Sequence, residues 1–73
     1  MKYAVIYETG PAGGYSAYVP DLPGCVAAAS TLEETRALIE EAIEFHIEGM
    51  RLHGEIVPRP SSLAEMLEIA PVA

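Results

Sequence analysis

The sequence predicts a small α+β domain. A three-stranded antiparallel sheet comes first, one long helix packs on it (β-β-β-α), and a short extended or helical segment closes the chain. Three observations predict this order. Short runs rich in β-branched, aromatic or small residues occupy most of the first 29 positions, separated by Gly- and Pro-rich turns. A capped, proline-free stretch with apolar residues at helical spacing follows. The 73-residue length leaves room for one domain.

The first strand is expected over Lys2–Thr9, KYAVIYET, ending at Gly10-Pro11. Tyr3, Val5 and Tyr7 fall on one face and Ala4 and Ile6 on the other, so neither face is polar. The loop GPAGG leads to a second strand over Gly14–Pro20, GYSAYVP, and Gly24–Ala29, GCVAAA, supplies a third with small side chains.

Between the second and third strands lies PDLPGC. Pro20 has no N–H to offer a neighbouring strand and tends to end the pairing. Asp21 is a side-chain acceptor of the kind that opens turns. In Leu22-Pro23-Gly24-Cys25 proline stands at the second position and glycine at the third, the pattern of a type II turn. Pro20, Asp21, Pro23 and Gly24 are therefore structural turn residues. Leu22 is an apolar side chain at a turn, and it must pack back on the core or meet a partner.

The helix starts at one of two capping boxes. Ser30 precedes Glu33 by three residues and Thr31 precedes Glu34 by three, so either hydroxyl can satisfy a free N–H of the first turn. Gly54 is the expected terminating residue. Ile39, Ala42, Ile43, His46, Met50 and His53 share one face. Leu32, Leu38, Phe45 and Leu52 widen it into an arc too broad for one small sheet to cover. The opposite stripe carries Glu33, Glu40, Glu41, Glu44 and Glu48. Glu40–Glu44 and Glu44–Glu48 are like-charge pairs four apart, each costing about 0.2–0.5 kcal/mol. The stripe reads either as a solvated face or as an acidic patch for a basic partner, with Glu40, Glu44 and Glu48, together with Leu22, as candidate contacts.

After Gly54, EIVPRPSS is extended and stiffened by proline, and Ser62–Ala70, SLAEMLEIA, is expected to form a short helix capped by Ser62 with Glu65. Domains this small bury only about 60% of their unfolded surface. With 51% hydrophobic residues and a single cysteine, no intrachain disulfide can help, and association into a homodimer or higher homo-oligomer is expected.

Four basic residues against eleven acidic ones give a formal charge of −7, which disfavours direct nucleic-acid binding and suits a basic partner. No run of about 18 apolar residues spans a membrane, and the N-terminus lacks a signal-peptide core, so a cytoplasmic location is expected. Catalysis has little support. Metal-assisted phosphoryl transfer needs several carboxylates around one site, whereas only Glu8 and Asp21 fall in the strand region. Cys25 begins an apolar strand with no base nearby in sequence and reads as a small hydrophobe. His46 and His53 are seven residues apart, about 10.5 Å along a helix axis, awkward for joint ligation of a metal. No cofactor motif occurs, and no catalytic, cofactor-binding or metal residue is assigned.

Three motifs in order give the chain a resemblance to the HicB-like antitoxin family: YVPDLPGC at Tyr18–Cys25, the T-x-E-E helix start at Thr31–Glu34, and G-x-x-V-P-x-P at Gly54–Pro60. The resemblance covers about Met1 to Ser62. It implies a partial, degenerate ribonuclease-H-like fold without nuclease activity, whose members bind and neutralise a small basic HicA-type toxin, an mRNA interferase. Many such proteins continue into an operator-binding domain. Here a single HicB-like domain over residues 1–73, with no separate DNA-binding domain, is expected. The alternative is an orphan oligomerisation or regulatory module with no toxin partner.

Overall fold

The computed structural model describes residues 1–71. Three strands, β1 (Ile6–Thr9), β2 (Tyr15–Tyr18) and β3 (Val26–Ala29), precede one long helix, α1 (Leu32–Leu52). The sheet is an antiparallel meander in the order β1-β2-β3, as the sequence predicts. Each strand is shorter than its apolar run. In β1 the pairing begins only at Ile6, because β2 gives way at Val19 to the turn and has no partner to offer Lys2–Val5.

The register decides what faces inward. Tyr7 and Ala27 both stand opposite Ala17. Alternation then places Val5, Tyr7, Ala17, Val19, Cys25 and Ala27 on the face that meets α1. The buried core is Ala17, Val19, Leu22, Cys25 and Ile39, with Tyr3, Val5, Tyr7, Ala27, Ala42, Ile43 and Ile47 packed around it. Four of those five core residues come from β2, the turn and the start of the third run; α1 adds Ile39. Thr35 is also fully buried, and its hydroxyl donates to the Thr31 carbonyl at 2.8 Å, which removes the cost of enclosing it.

The helix uses Thr31, not Ser30, as its cap. The Glu34 N–H donates to Thr31 Oγ1 at 3.1 Å, and the Thr31 hydroxyl donates to a Glu34 carboxylate oxygen at 2.9 Å. Its far end closes on Gly54, whose φ of +70° is the left-handed conformation glycine adopts without strain. The Glu55 and Gly54 N–H groups turn back to the Met50 and Arg51 carbonyls at 2.8 and 3.1 Å, a Schellman ending.

The expected short helix over Ser62–Ala70 does not form: the chain from Glu55 to Pro71 has no regular secondary structure. Its would-be capping residue, Ser62, is bound to Asp21 instead. Its apolar residues Leu63, Met66, Leu67 and Ile69 remain exposed, so no packing partner stabilises a helix of about two and a half turns that is marginal by itself. The tail also lengthens the molecule. The radius of gyration is 14.6 Å, against about 11 Å for a compact chain of this length.

Candidate functional site

The PDLPGC segment is built from two consecutive turns that share Leu22. The Leu22 N–H donates to the Val19 carbonyl at 3.1 Å across Pro20-Asp21. The Cys25 N–H donates to the Leu22 carbonyl at 3.0 Å across Pro23-Gly24, and Gly24 has φ +84°. Proline second and a positive φ third define the type II turn. A third bond, from the Val19 N–H to the Cys25 carbonyl at 3.2 Å, draws the two ends together. The prolines contribute no N–H that would need a partner. This closure drives Leu22 into the core, where none of its surface is exposed. Leu22 is therefore an anchor, and the expectation that it offers a contact to a partner is corrected: a wholly buried side chain presents nothing to one.

Asp21, beside it, has a role that its sequence neighbours do not reveal. Its carboxylate accepts four hydrogen bonds from the tail. The N–H groups of Ser61 and Ser62 each donate to Oδ2 at 2.9 Å. Their hydroxyls donate to Oδ1 at 3.1 and 2.7 Å. Donation to the ionised form favours it. The backbone N–H groups of Ser62 and Ser61, with the Ser62 hydroxyl next, lower the Asp21 pKa from 3.8 to about 2. A second tether lies nearby, where the Tyr3 hydroxyl donates to the Pro58 carbonyl. Ser61, Ser62 and Tyr3 are the residues that sequence reasoning missed. Ser62 carried a signal, a capping pattern, but it pointed to the wrong acceptor.

The remaining reactive groups are quiet. Cys25 is buried, and burial pushes its thiol pKa upward, away from the thiolate that nucleophilic chemistry needs. His53 Nδ1 donates to the Gly49 carbonyl at 2.7 Å, a role at the helix end. Among the described residues, no three His, Cys, Asp or Glu side chains lie close enough together to hold a metal ion. No helix among the described residues is long and apolar enough to cross a membrane.

What the surface does offer is area for contact. Glu40, Glu44 and Glu48 are all exposed on α1, and Glu44 and Glu48 border Ile47 and Arg51. Glu41 lies on the other flank, against an open apolar groove between α1 and β3. The turn, the sheet and the helix cap thus form a scaffold, and the features available to a partner lie on α1, on the sheet edges and along the tail.

Residues 3–71 match the profile of the HicB-like antitoxins of bacterial toxin–antitoxin systems. The chain belongs to this family. Among curated proteins, this HicB-like chain is 40% identical over 62 residues to a UPF0150 protein of Thermoplasma acidophilum, covering 85% of the chain and 90% of that protein. It is 43% identical over 54 residues to a 14.9 kDa protein from the rep-hol intergenic region of Haemophilus phage HP1, covering 74% of the chain. There the match spans only 41% of the phage protein's length. A UPF0150 protein of Synechocystis is 37% identical over 68 residues, with 93% of the chain and 86% of that protein covered. Among solved structures, a chain of a HicA3 and HicB3 toxin–antitoxin complex superposes with a TM-score of 0.68 at 31% identity. That superposition covers 82% of this HicB-like chain and 70% of the other.

Proposed function

We propose that this HicB-like chain is a non-catalytic antitoxin that binds and covers a small basic HicA-type mRNA-interferase toxin. The observation that carries the reading is the joint match of sequence and fold to a chain from a HicA3–HicB3 toxin–antitoxin complex. The chemistry of the chain agrees with it. The formal charge of −7 suits a basic partner. Asp21, the acidic residue of the family-like motif, is engaged in holding the tail. Cys25 is held as a thiol within the core.

Coexpression tests this directly. The chain is expected to relieve the growth arrest caused by a HicA-type toxin encoded beside it and to co-purify with that toxin. Persistent arrest and no complex, with a toxin verified as active, reject the reading.

One observation favours a second reading, an orphan oligomerisation module. Leu63, Met66, Leu67 and Ile69 are all exposed within seven residues of tail, more apolar surface than a small acidic monomer has reason to show. Sedimentation separates the two. A homo-oligomer that never yields to toxin supports the module; a chain recovered in a toxin complex supports the antitoxin.

A further inference from the structure

The α1 flank that faces away from the core carries a periodic pattern. Leu38, Phe45 and Leu52 stand seven residues apart, about 10.5 Å for each interval along the axis. They are 43%, 79% and 78% exposed. Glu34 and Glu41 repeat at the same interval, one turn out of phase. Carboxylate and hydrocarbon therefore alternate at every turn from Glu34 through Leu38 and Glu41 to Phe45. Beside this row runs an open groove, whose walls include Val26 and Ala28 of β3 and Leu38, Ala42 and Phe45 of α1. Glu41 is the one charged residue in its lining. Val26 is 63% exposed and Phe45 79% exposed, and β3 is an edge strand of the sheet, so both walls are left open among the described residues.

We propose that the groove between β3 and α1 is the docking surface for a protein partner whose contact face alternates apolar side chains with Lys or Arg. The proposal rests on the antitoxin reading and names the surface through which the toxin is held. Charge decides the occupant. Two copies of this chain meeting groove to groove would enclose Glu41 of each in a dehydrating contact with no cation in either lining, with −7 on each side. Nucleic acid would set phosphates against the same carboxylates. A basic protein face meets both elements at once: its hydrocarbon fills the groove around Phe45, and its cations pair with Glu41 in the lining.

The flank also differs from the one that carries Glu40, Glu44 and Glu48. That side is acidic, but its neighbours Ile47 and Arg51 give it a half-buried apolar base and a compensating cation, not exposed apolar anchors. Acidity alone would make either flank a candidate; the alternation with Leu38, Phe45 and Leu52 selects one. Interface energy concentrates in a few buried anchors, aromatic ones above all.

The experiment titrates a purified, catalytically inactivated HicA-type toxin against four full-length chains: wild type, Phe45→Ser, Glu41→Lys and Glu40→Lys. Phe45 is so exposed that its loss leaves the fold intact, which thermal unfolding of each chain verifies. Phe45→Ser is expected to weaken binding about 30-fold. Glu41→Lys is expected to slow association about tenfold at low salt, with the gap closing as salt rises. Glu40→Lys, on the other flank, is expected to slow association less than Glu41→Lys; an equal or larger effect moves the contact to that flank and overturns the proposal. If wild type binds and both groove variants bind as tightly, the surface is wrong and the antitoxin reading stands. If wild type does not bind an active-site variant of a verified toxin, both fall. If wild type self-associates and Phe45→Ser abolishes only that, leaving toxin affinity unchanged, the groove belongs to a second copy and the proposal is overturned.

Discussion

Leu22 and Leu63 stand next to opposite sides of the same clasp, one after Asp21 and the other after Ser62, whose side chains are hydrogen-bonded at 2.7 Å. Yet Leu22 is 0% exposed and Leu63 is 99% exposed. The residue type is the same, so hydrophobicity does not separate them. The backbone does. Around Leu22, two prolines fix φ and three backbone bonds close the loop over the core, so burying the side chain orders little that is not already ordered. From Leu63 to Pro71 the chain has no ladder and no helical bonds, and fixing it would cost about 1–2 kcal/mol per residue in backbone entropy. The clasp carries the tail to the edge of the fold; nothing in one chain carries it farther in.

Substitution at the two leucines is the strongest way to break this contrast. Leu22→Ala is expected to destabilise the protein by about 2–5 kcal/mol in urea denaturation, the usual range for a wholly buried leucine. A loss below about 1 kcal/mol would mean that the turn does not anchor the core. The next effect belongs to the backbone. Gly24 has φ +84° and open space where a Cβ would stand, so Gly24→Ala meets no clash and isolates the conformational cost. That cost is about 1–2 kcal/mol, and an unchanged urea midpoint would show that the turn adapts.

Asp21→Asn sharpens the comparison at the clasp itself, because it removes the charge that holds the tail without touching the core. Amide exchange at Ser61 and Ser62 is expected to accelerate while Val19, Leu22 and Ile39 stay protected. The same carboxylate predicts a pH dependence. With a folded pKa of about 2 against 3.8 for the free side chain, the folded state holds this proton more weakly than the unfolded one. Its contribution is complete above pH 3.8 and is lost as pH falls through about 2. Wild type should lose tail protection across that window and Asp21→Asn should not; parallel curves would refute the clasp. The smallest effect is at Leu63, where truncation to alanine is expected to shift the stability of the isolated chain by less than about 0.5 kcal/mol. A larger loss that grows with protein concentration would instead place Leu63 in an assembly.

What was legible in the sequence was local. The Leu22–Cys25 turn and the Gly54 ending are each written within a few residues, the helix start was narrowed to Ser30 or Thr31, and all three are made by bonds within those same spans. The broad apolar arc of α1 was legible too, as an excess over what one sheet can cover, and Phe45 and Leu52 are the uncovered part. The failures share one cause. Ser62–Ala70 has the pattern of a short helix, but a helix that short depends on a surface to pack against, and a pattern does not report whether the surface exists. Asp21 read as a turn opener and Ser62 as a cap, because a sequence shows neighbours and their true partners are 40 and 41 residues away.

The sequence by itself determined the order of elements, the turn between β2 and β3, the glycine end of the helix and the acidic balance of the chain. Those features follow from dihedral preferences, capping groups and charge, which act over a few residues or require no geometry at all. Only the tertiary structure decided that Leu22 is core and Leu63 is surface, that Asp21 holds the tail, and which flank of α1 presents a groove. Those outcomes depend on which distant segments meet, and the antiparallel register and the two tethers of the tail set that meeting.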